Sequence, residues 1–486
     1  MFLVSVFFDR ISVVKIETQK SVRYLLVLAG LGGFLYGVDF GVIAAAEPYM
    51  KAMDIYKDKG SYVSLVVGAV MLGGLISSIT AGFLSELFGR KKMIVASAAM
   101  FLVAIPVVCL SLTSFPVLMA GRILQGMSAG YMAVVMPMYL AETLPADIRG
   151  RGTGVFQFCL GLGLVIAAGA GCLVATRYGA SDTADAAGRV AAWGANFWWT
   201  MAPVAVLFFG SLRLPESPVW LEKSAKRGVE SVKSTKNDLH SSASDDSTRS
   251  SLLSRRYVIP FLLACLVLTF NKTTGMSSFT SYLVTILHSA GFEGIFANWG
   301  QLAVKLTNML VTIAAAALVD RKGRTWLLKV GTGGMTIGLA AIGSVFLAIE
   351  RFGVHANNFT GLLTLFAFFF MQVFYALGPG LCVWLVLSEL MPKRIRANGM
   401  AIALFMNQLV ACGLASTLHP WQEAWGWSSM FFFFAVNGVL YFVTTLFIPE
   451  TKGKSLEELE HLFDNRREAR DEGATCPMSN ASRPRR

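Results

Sequence analysis

Charge is scarce in this chain. Lysine, arginine, aspartate and glutamate together make up 15 % of its 486 residues, against 55 % apolar ones. A soluble protein of this length could not cover so much apolar surface, so the solvent for most of the chain is lipid. Metal-site and disulfide patterns are also missing. Cys109, Cys159, Cys172, Cys265, Cys382 and Cys412 fall inside apolar runs and Cys476 lies in the C-terminal segment, with no pair at metal or framework spacing. His240, His288, His355, His419 and His461 are scattered and form no ligand set. There is no nucleotide-binding loop and no nucleophile constellation, so the chain does not read as an enzyme. No cleavable signal peptide is evident: MFLVSVFF is apolar but too short, and Arg10 flanks it on the wrong side. That start reads as a surface segment or a misassigned initiation.

What is present is length in apolar runs. Twelve segments, near 23–46, 62–84, 93–112, 116–141, 152–175, 194–212, 257–288, 297–319, 325–349, 359–390, 398–417 and 427–448, approach the roughly 20 residues that span a bilayer core. Helices satisfy that many backbone groups in lipid without the alternation of a barrel. The expected fold class is therefore an all-α membrane protein of twelve transmembrane helices. Orientation follows from the basic residues. With the N-terminus inside, only Lys51, Lys57, Lys59, Arg177, Arg189 and Arg351 of the 42 lysines and arginines fall in outer loops, and both termini are cytoplasmic. The net charge of +12 thus sits against the inner leaflet of a cell membrane, and nucleic acid is not the partner it implies. The expected division is a cytoplasmic segment 1–22, a six-helix bundle 23–212, a polar, serine-rich linker 213–256, a second six-helix bundle 257–448 and a charged tail 449–486.

The halves repeat. Glu86, Gly89 and Arg90 correspond to Asp320, Gly323 and Arg324, and Pro215-Glu216 to Pro449-Glu450, each at an offset of 234. A hinge of the form Glu-x-x-Pro-x-x-x-Arg occurs at Glu142, Pro145 and Arg149 and again at Glu389, Pro392 and Arg396. Two parallel six-helix repeats are a transporter architecture, with the solute site expected between them at mid-depth.

Charge inside a span is a functional candidate by default. Setting aside the hinge acids and Glu47 at a helix end, Asp39 is the only acid deep in a span; Arg122, Lys272, Lys305 and Lys329 are the bases. Lys272 lies too deep for easy snorkelling. For Lys305, a cavity position and outward snorkelling both stand. If Arg122, Lys272 and Lys305 all open into one cavity, the site leans positive and suits an anion such as a sugar acid.

Gly82-Phe-Leu-Ser-Glu86-Leu-Phe-Gly89-Arg90-Lys91, Asp320-Arg-Lys-Gly323-Arg324, Pro215-Glu-Ser-Pro218-Val-Trp220-Leu221 and Pro449-Glu450-Thr-Lys-Gly453 resemble motifs of the sugar porter family of the major facilitator superfamily, a resemblance covering roughly residues 23 to 463. Glu86, Leu87 and Val219 depart from the usual aspartate, arginine and arginine. The resemblance implies the two-bundle major facilitator fold. It also implies salt bridges between the halves that close the inner face, from Glu86, Arg90, Glu142, Arg149, Glu216, Asp320, Arg324, Glu389, Arg396 and Glu450. Asp39 and Arg122 match the acid and base of proton-coupled members, with a permanent structural ion pair as the alternative. Gln157, Asn308 and Trp384 match solute contacts, with Tyr36 and Tyr282 lining the same cavity. Departures cluster on helix 7, where Asn271, Lys272, Ser277, Ser281 and Tyr282 replace paired glutamines, an asparagine and two tyrosines, and on helix 11, which carries Asn407 and Gln408.

The function expected is proton-coupled symport of a monosaccharide-type solute by alternating access. The alternatives are symport or exchange of a sugar acid or organic anion, an uncoupled facilitator, and a membrane sensor on a transporter scaffold. The proton is the one coupling ion, with no other cofactor. The expected partners are a sugar, polyol or sugar acid and the bilayer, and the working unit is a monomer.

Overall fold

The computed structural model describes residues 16–56, 59–144, 149–225, 255–292, 294–390, 396–448 and 450, and their regular structure is helical. The first half comprises α1 (Ile16–Lys51), α2 (Gly60–Phe88), α3 (Arg90–Leu110), α4 (Phe115–Thr143), α5 (Arg149–Tyr178), α6 (Ala186–Trp198) and α7 (Met201–Ser211). The second comprises α8 (Arg255–Thr273), α9 (Met276–Ser289), α10 (Phe296–Lys322), α11 (Arg324–Arg351), α12 (Asn358–Leu377), α13 (Pro379–Leu390) and α14 (Arg396–Leu446).

Nine spans among the described residues are individually long and apolar enough to cross a bilayer. The difference from twelve has a local cause at each place. The sixth segment is divided into α6 and α7 at Trp199 and Thr200. The seventh is divided into α8 and α9 where Gly275 takes φ +75°, a left-handed conformation open to glycine. The eleventh and twelfth run on as α14, bent at Gly426 with φ +78°. Counted as spans, the chain makes twelve crossings in two six-span halves.

Each half packs around its own helices, α1 on α5 and α2 on α4 in the first, α11 on α12 and α14 in the second. Small residues permit the closest approach: a methyl group at Gly37 would collide with the Leu160 carbonyl of α5. The repeat read from the sequence has a structural counterpart. Gly89, between α2 and α3, and Gly323, between α10 and α11, take nearly identical backbones, φ +98° and ψ 159° against φ +94° and ψ 160°. That region is essentially closed to residues with a side chain.

The halves meet along three lines: α2 against α14, α5 against α10, and α1 against α9. Along the first line Met71 packs with Ala411 and Ala415. The His419 amide donates to Ser64 Oγ at 3.0 Å, and a methyl at Gly68 would collide with Ser416. These contacts lie toward the end of the molecule away from Gly89 and Gly323, so the halves are drawn together at that end.

Candidate functional site

The buried charges of the first half meet as the sequence leads one to expect. Asp39 on α1 and Arg122 on α4 have no exposed side-chain surface, and Arg122 Nη1 lies 3.9 Å from Asp39 Oδ1. That is an ion-pair distance, not a hydrogen bond. Neither carboxylate oxygen of Asp39 has a hydrogen-bond partner, and neither does Arg122 Nη2. The guanidinium is held instead from its own side. Nη1 donates to Gln125 Oε1 at 2.6 Å, Nε reaches the Val66 carbonyl at 3.5 Å, and the group lies 5.6 Å from the Phe197 ring centroid. Gln125 was absent from the sequence reading. Its signal was its place three residues after Arg122, on the same helix face. Burial opposes charge on Asp39 and the guanidinium opposes its loss, so the separation of the two groups sets the balance.

The residues expected to touch solute divide into two sets. One set is engaged in helix-to-helix bonds. Asn407 Nδ2 donates to the Leu268 carbonyl at 2.9 Å, and Asn271 Nδ2 to the Pro379 carbonyl at 3.4 Å. Tyr282, fully buried, donates to the Ala415 carbonyl at 3.1 Å. Asn308 Oδ1 accepts from Gln372 Nε2 at 2.7 Å, leaving its own amide donors. The second set keeps accessible surface: Gln157 is exposed, Trp384 is 47 % exposed, and Tyr36, Ser277 and Gln408 are partly exposed. Ser281 is buried and donates to the Ser277 carbonyl. A methyl at Gly74 would lie 2.6 Å from Gln408 Nε2, which puts Gln408 at the seam between the halves.

Lys272 bridges the break in the seventh span, donating from Nζ to Ser277 Oγ at 2.7 Å. Lys305, 4 % exposed on α10, makes no hydrogen bond or ion pair with another described residue. One turn earlier on the same face Gln301 is fully buried, with neither amide atom partnered. Gln301 was also missed, although its spacing from Lys305 and Asn308 marks a polar stripe on α10.

The charged hinges form two duplicated caps. The Glu216 carboxylate accepts from the backbone N–H groups of Arg90 at 2.9 Å and Lys91 at 3.0 Å, at the start of α3. The Glu450 carboxylate does the same at the start of α11, from Arg324 at 3.1 Å and Thr325 at 3.2 Å, with the Thr325 hydroxyl donating as well. A carboxylate at a helix N-terminus satisfies orphan N–H groups and meets the positive end of the helix dipole. Arg90 adds a pair to Glu142 at 2.9 Å, and Ser217 donates to the other Glu142 oxygen. Glu86 faces Lys223 at 3.7 Å. These contacts lie within one half: Glu216 and Glu450 follow the last span of their own half and reach the nearest helix start. The bridges between the halves that the resemblance implies draw on residues beyond these contacts. The side chains of Arg149, Asp320, Glu389 and Arg396, and Pro145, Pro392 and Pro449, lie outside the described residues, as do the 226–254 linker segment and the tail from 451.

Comparison with known proteins bears on the whole chain. The family model described as sugar (and other) transporter matches residues 25–463. The arabinose-proton symporter of Bacillus subtilis is 28 % identical over 93 % of this chain and 97 % of its own length. The major myo-inositol transporter of the same organism is 29 % identical over 93 % and 97 %. Among solved structures, the inward open conformation of the xylose transporter of E. coli aligns with TM-score 0.71, at 23 % identity, over 90 % of this chain and 98 % of that one. That likeness supports the two-bundle fold, and the family match extends over both halves, their shared caps and the buried Asp39–Arg122 pair: the chain belongs to the sugar (and other) transporter family.

Proposed function

We propose that the protein moves a monosaccharide-type solute across the cell membrane together with a proton, by alternating access of a site between its two halves. The carrying observation is the Asp39–Arg122 pair, fully buried at 3.9 Å with both carboxylate oxygens free of hydrogen bonds. A carboxylate so placed exchanges a proton for a closer guanidinium without rearranging a hydrogen-bond network. Relatives named as proton symporters for arabinose and galactose support the reading. Lysine and arginine placement puts both termini in the cytoplasm. The tight α2–α14 seam then faces outside, and the conformation is one accessible from within. Gln157, Trp384, Tyr36, Ser277, Gln408 and the free amide donors of Asn308 supply hydrogen bonds and a stacking face for a polyhydroxylated ring. The proton is the coupling ion, and a single chain is the working unit.

A second reading rests on Lys272, partly exposed at the break in the seventh span, and Lys305, buried on α10, two ammonium groups with no buried acid among the described residues of the second half. It makes the solute a sugar acid or another organic anion. Uptake into cells with and without a protonophore tests coupling, using radiolabelled sugars, polyols and sugar acids in parallel. Coupled transport predicts that accumulation is lost on adding the protonophore. Uptake that is indifferent to it and never exceeds equilibration removes symport and leaves a facilitator.

A further inference from the structure

A second buried acid–base pair lies far from Asp39, at the end where the halves are drawn together. Glu47 on α1 has no exposed surface, and its Oε1 is 2.9 Å from Nε2 of His419 on α14, equally buried. The other carboxylate oxygen accepts from the Thr285 hydroxyl on α9. The His419 backbone amide donates to Ser64 on α2 at 3.0 Å, and the Tyr282 ring stands edge-on to the imidazole with centroids 5.1 Å apart. Glu47 and Ser64 belong to the first half; Thr285, Tyr282 and His419 belong to the second. One small cluster therefore ties together four helices across the seam.

A carboxylate with no exposed surface needs a cation or it should not be charged. The imidazole is the group at hydrogen-bond distance that can supply one. The other titratable or charged groups facing the pair are Lys51 on α1, Tyr282 and His288 on α9, and Glu423 on α14; α2 contributes the neutral Ser64. Lys51 is partly exposed and makes no ion pair within the described residues. His419 Nδ1 has no partner, so nothing else in the cluster fixes how many protons the ring carries.

We infer that Glu47 and His419 form a proton-binding latch that shuts this end of the molecule, distinct from the Asp39–Arg122 pair. Closing brings the two side chains together with one proton held between acid and imidazole beyond what the separated, solvated pair retains. Opening returns them to water and releases it. The pair meets water only when its own end opens, so the proton comes from and returns to one side. The latch therefore biases the resting conformation by pH and moves no net proton across the membrane.

The test uses full-length protein in liposomes, native cysteines replaced, with nitroxide labels at Val117 and Val354, exposed positions in the two halves at this end. Label-to-label distances are recorded from pH 5.5 to 8.5, without solute or gradient. One extra proton bound on closing makes the open-to-closed ratio rise with pH, approaching about tenfold per pH unit above the ordinary histidine range near 6.5. E47Q, which leaves the imidazole no carboxylate with which to share a proton, should flatten that slope, and so should the double variant E47Q/H419Q, whereas H419Q alone leaves a buried Glu47 that takes up the proton itself on closing. D39N should retain the slope. A wild-type distribution independent of pH overturns the latch, as does a wild-type slope surviving in E47Q or in E47Q/H419Q. If either glutamine variant fails to fold, judged by elution and melting, the wild-type slope and D39N decide: loss of the slope in D39N assigns it to Asp39 and ends the proposal. The reading stands apart from symport itself, because the measurement involves no transport.

Discussion

Replacing Asp39 with asparagine keeps the size of the side chain and removes its exchangeable proton. The relevant magnitude follows from the Asp39–Arg122 separation of 3.9 Å. With an effective dielectric of about 20 the attraction is about 4 kcal/mol, and it falls to about 2 kcal/mol at roughly 8 Å. A difference of about 2 kcal/mol changes proton affinity roughly thirtyfold. A displacement of α1 against α4 by a few ångströms therefore changes proton affinity enough to load and release a proton. With one proton per solute, an imposed gradient of one pH unit supports up to about tenfold accumulation. In proteoliposomes bearing such a gradient, the wild type should approach that ratio and D39N should stop near unity. Exchange of labelled for unlabelled solute across the same membranes should continue in D39N, because exchange needs no net proton movement. Uphill accumulation by D39N under a pure pH gradient would refute the reasoning, since some other group would then carry the proton.

Three further substitutions probe other parts of the structure. G323A places a methyl on a backbone at φ +94° and ψ 160°, a strain of about 1–3 kcal/mol; the melting temperature in detergent should fall by several degrees, G89A should behave alike, and unchanged melting in both would show that the turns relax freely. E216Q removes the charge from the cap on α3 and should cost about 1 kcal/mol, read as reduced thermal stability with solute binding retained; a variant as stable as wild type would mean that the cap is ornamental. K272Q tests the anion reading: competition by sugar acids should weaken at least about tenfold while neutral sugars compete as before, and equal loss of both would show that Lys272 acts only through its bond to Ser277.

Much of the fold was legible because its signals are local. Apolar runs gave the crossings, and equal spacing of Gly89 with Gly323 and Glu216 with Glu450 gave the two halves. The breaks at Gly275 and Gly426 were hidden because an apolar run reads the same whether its helix is continuous or bent. The matched glutamates were recognised as a pair, but their task was not. Capping depends on where α3 and α11 begin relative to residues 126 positions further along, which spacing does not encode. Asp39 and Arg122 stood out because charge within a span is rare. Glu47 was set aside as an acid at a helix end, and His419 was one of five scattered histidines. Their meeting is made by α1 and α14 folding together, and the one local hint was an acid embedded in Ala44-Ala-Ala-Glu47-Pro48.

Both pairs share α1, and this constrains how the halves move. Asp39 and Glu47 are eight residues apart, about 12 Å along the helix axis. Asp39 faces Arg122 inside the first half, whereas Glu47 faces Thr285 and His419 across the seam. Opening at the seam must pull α1 away from α9 and α14, breaking the Glu47 contacts first. If α1 moves as a rigid rod packed on α5, the same displacement alters the Asp39–Arg122 distance on which proton affinity depends. Separation at the latch and proton exchange at Asp39 are then two ends of one movement. If α1 bends instead, the natural place lies between the pairs, among the alanines 44–46, and the two sites would work independently. Measuring the pH dependence of the latch distance in wild type and D39N distinguishes these cases: a rigid α1 moves the midpoint in D39N while keeping the slope, and a bending α1 leaves both unchanged.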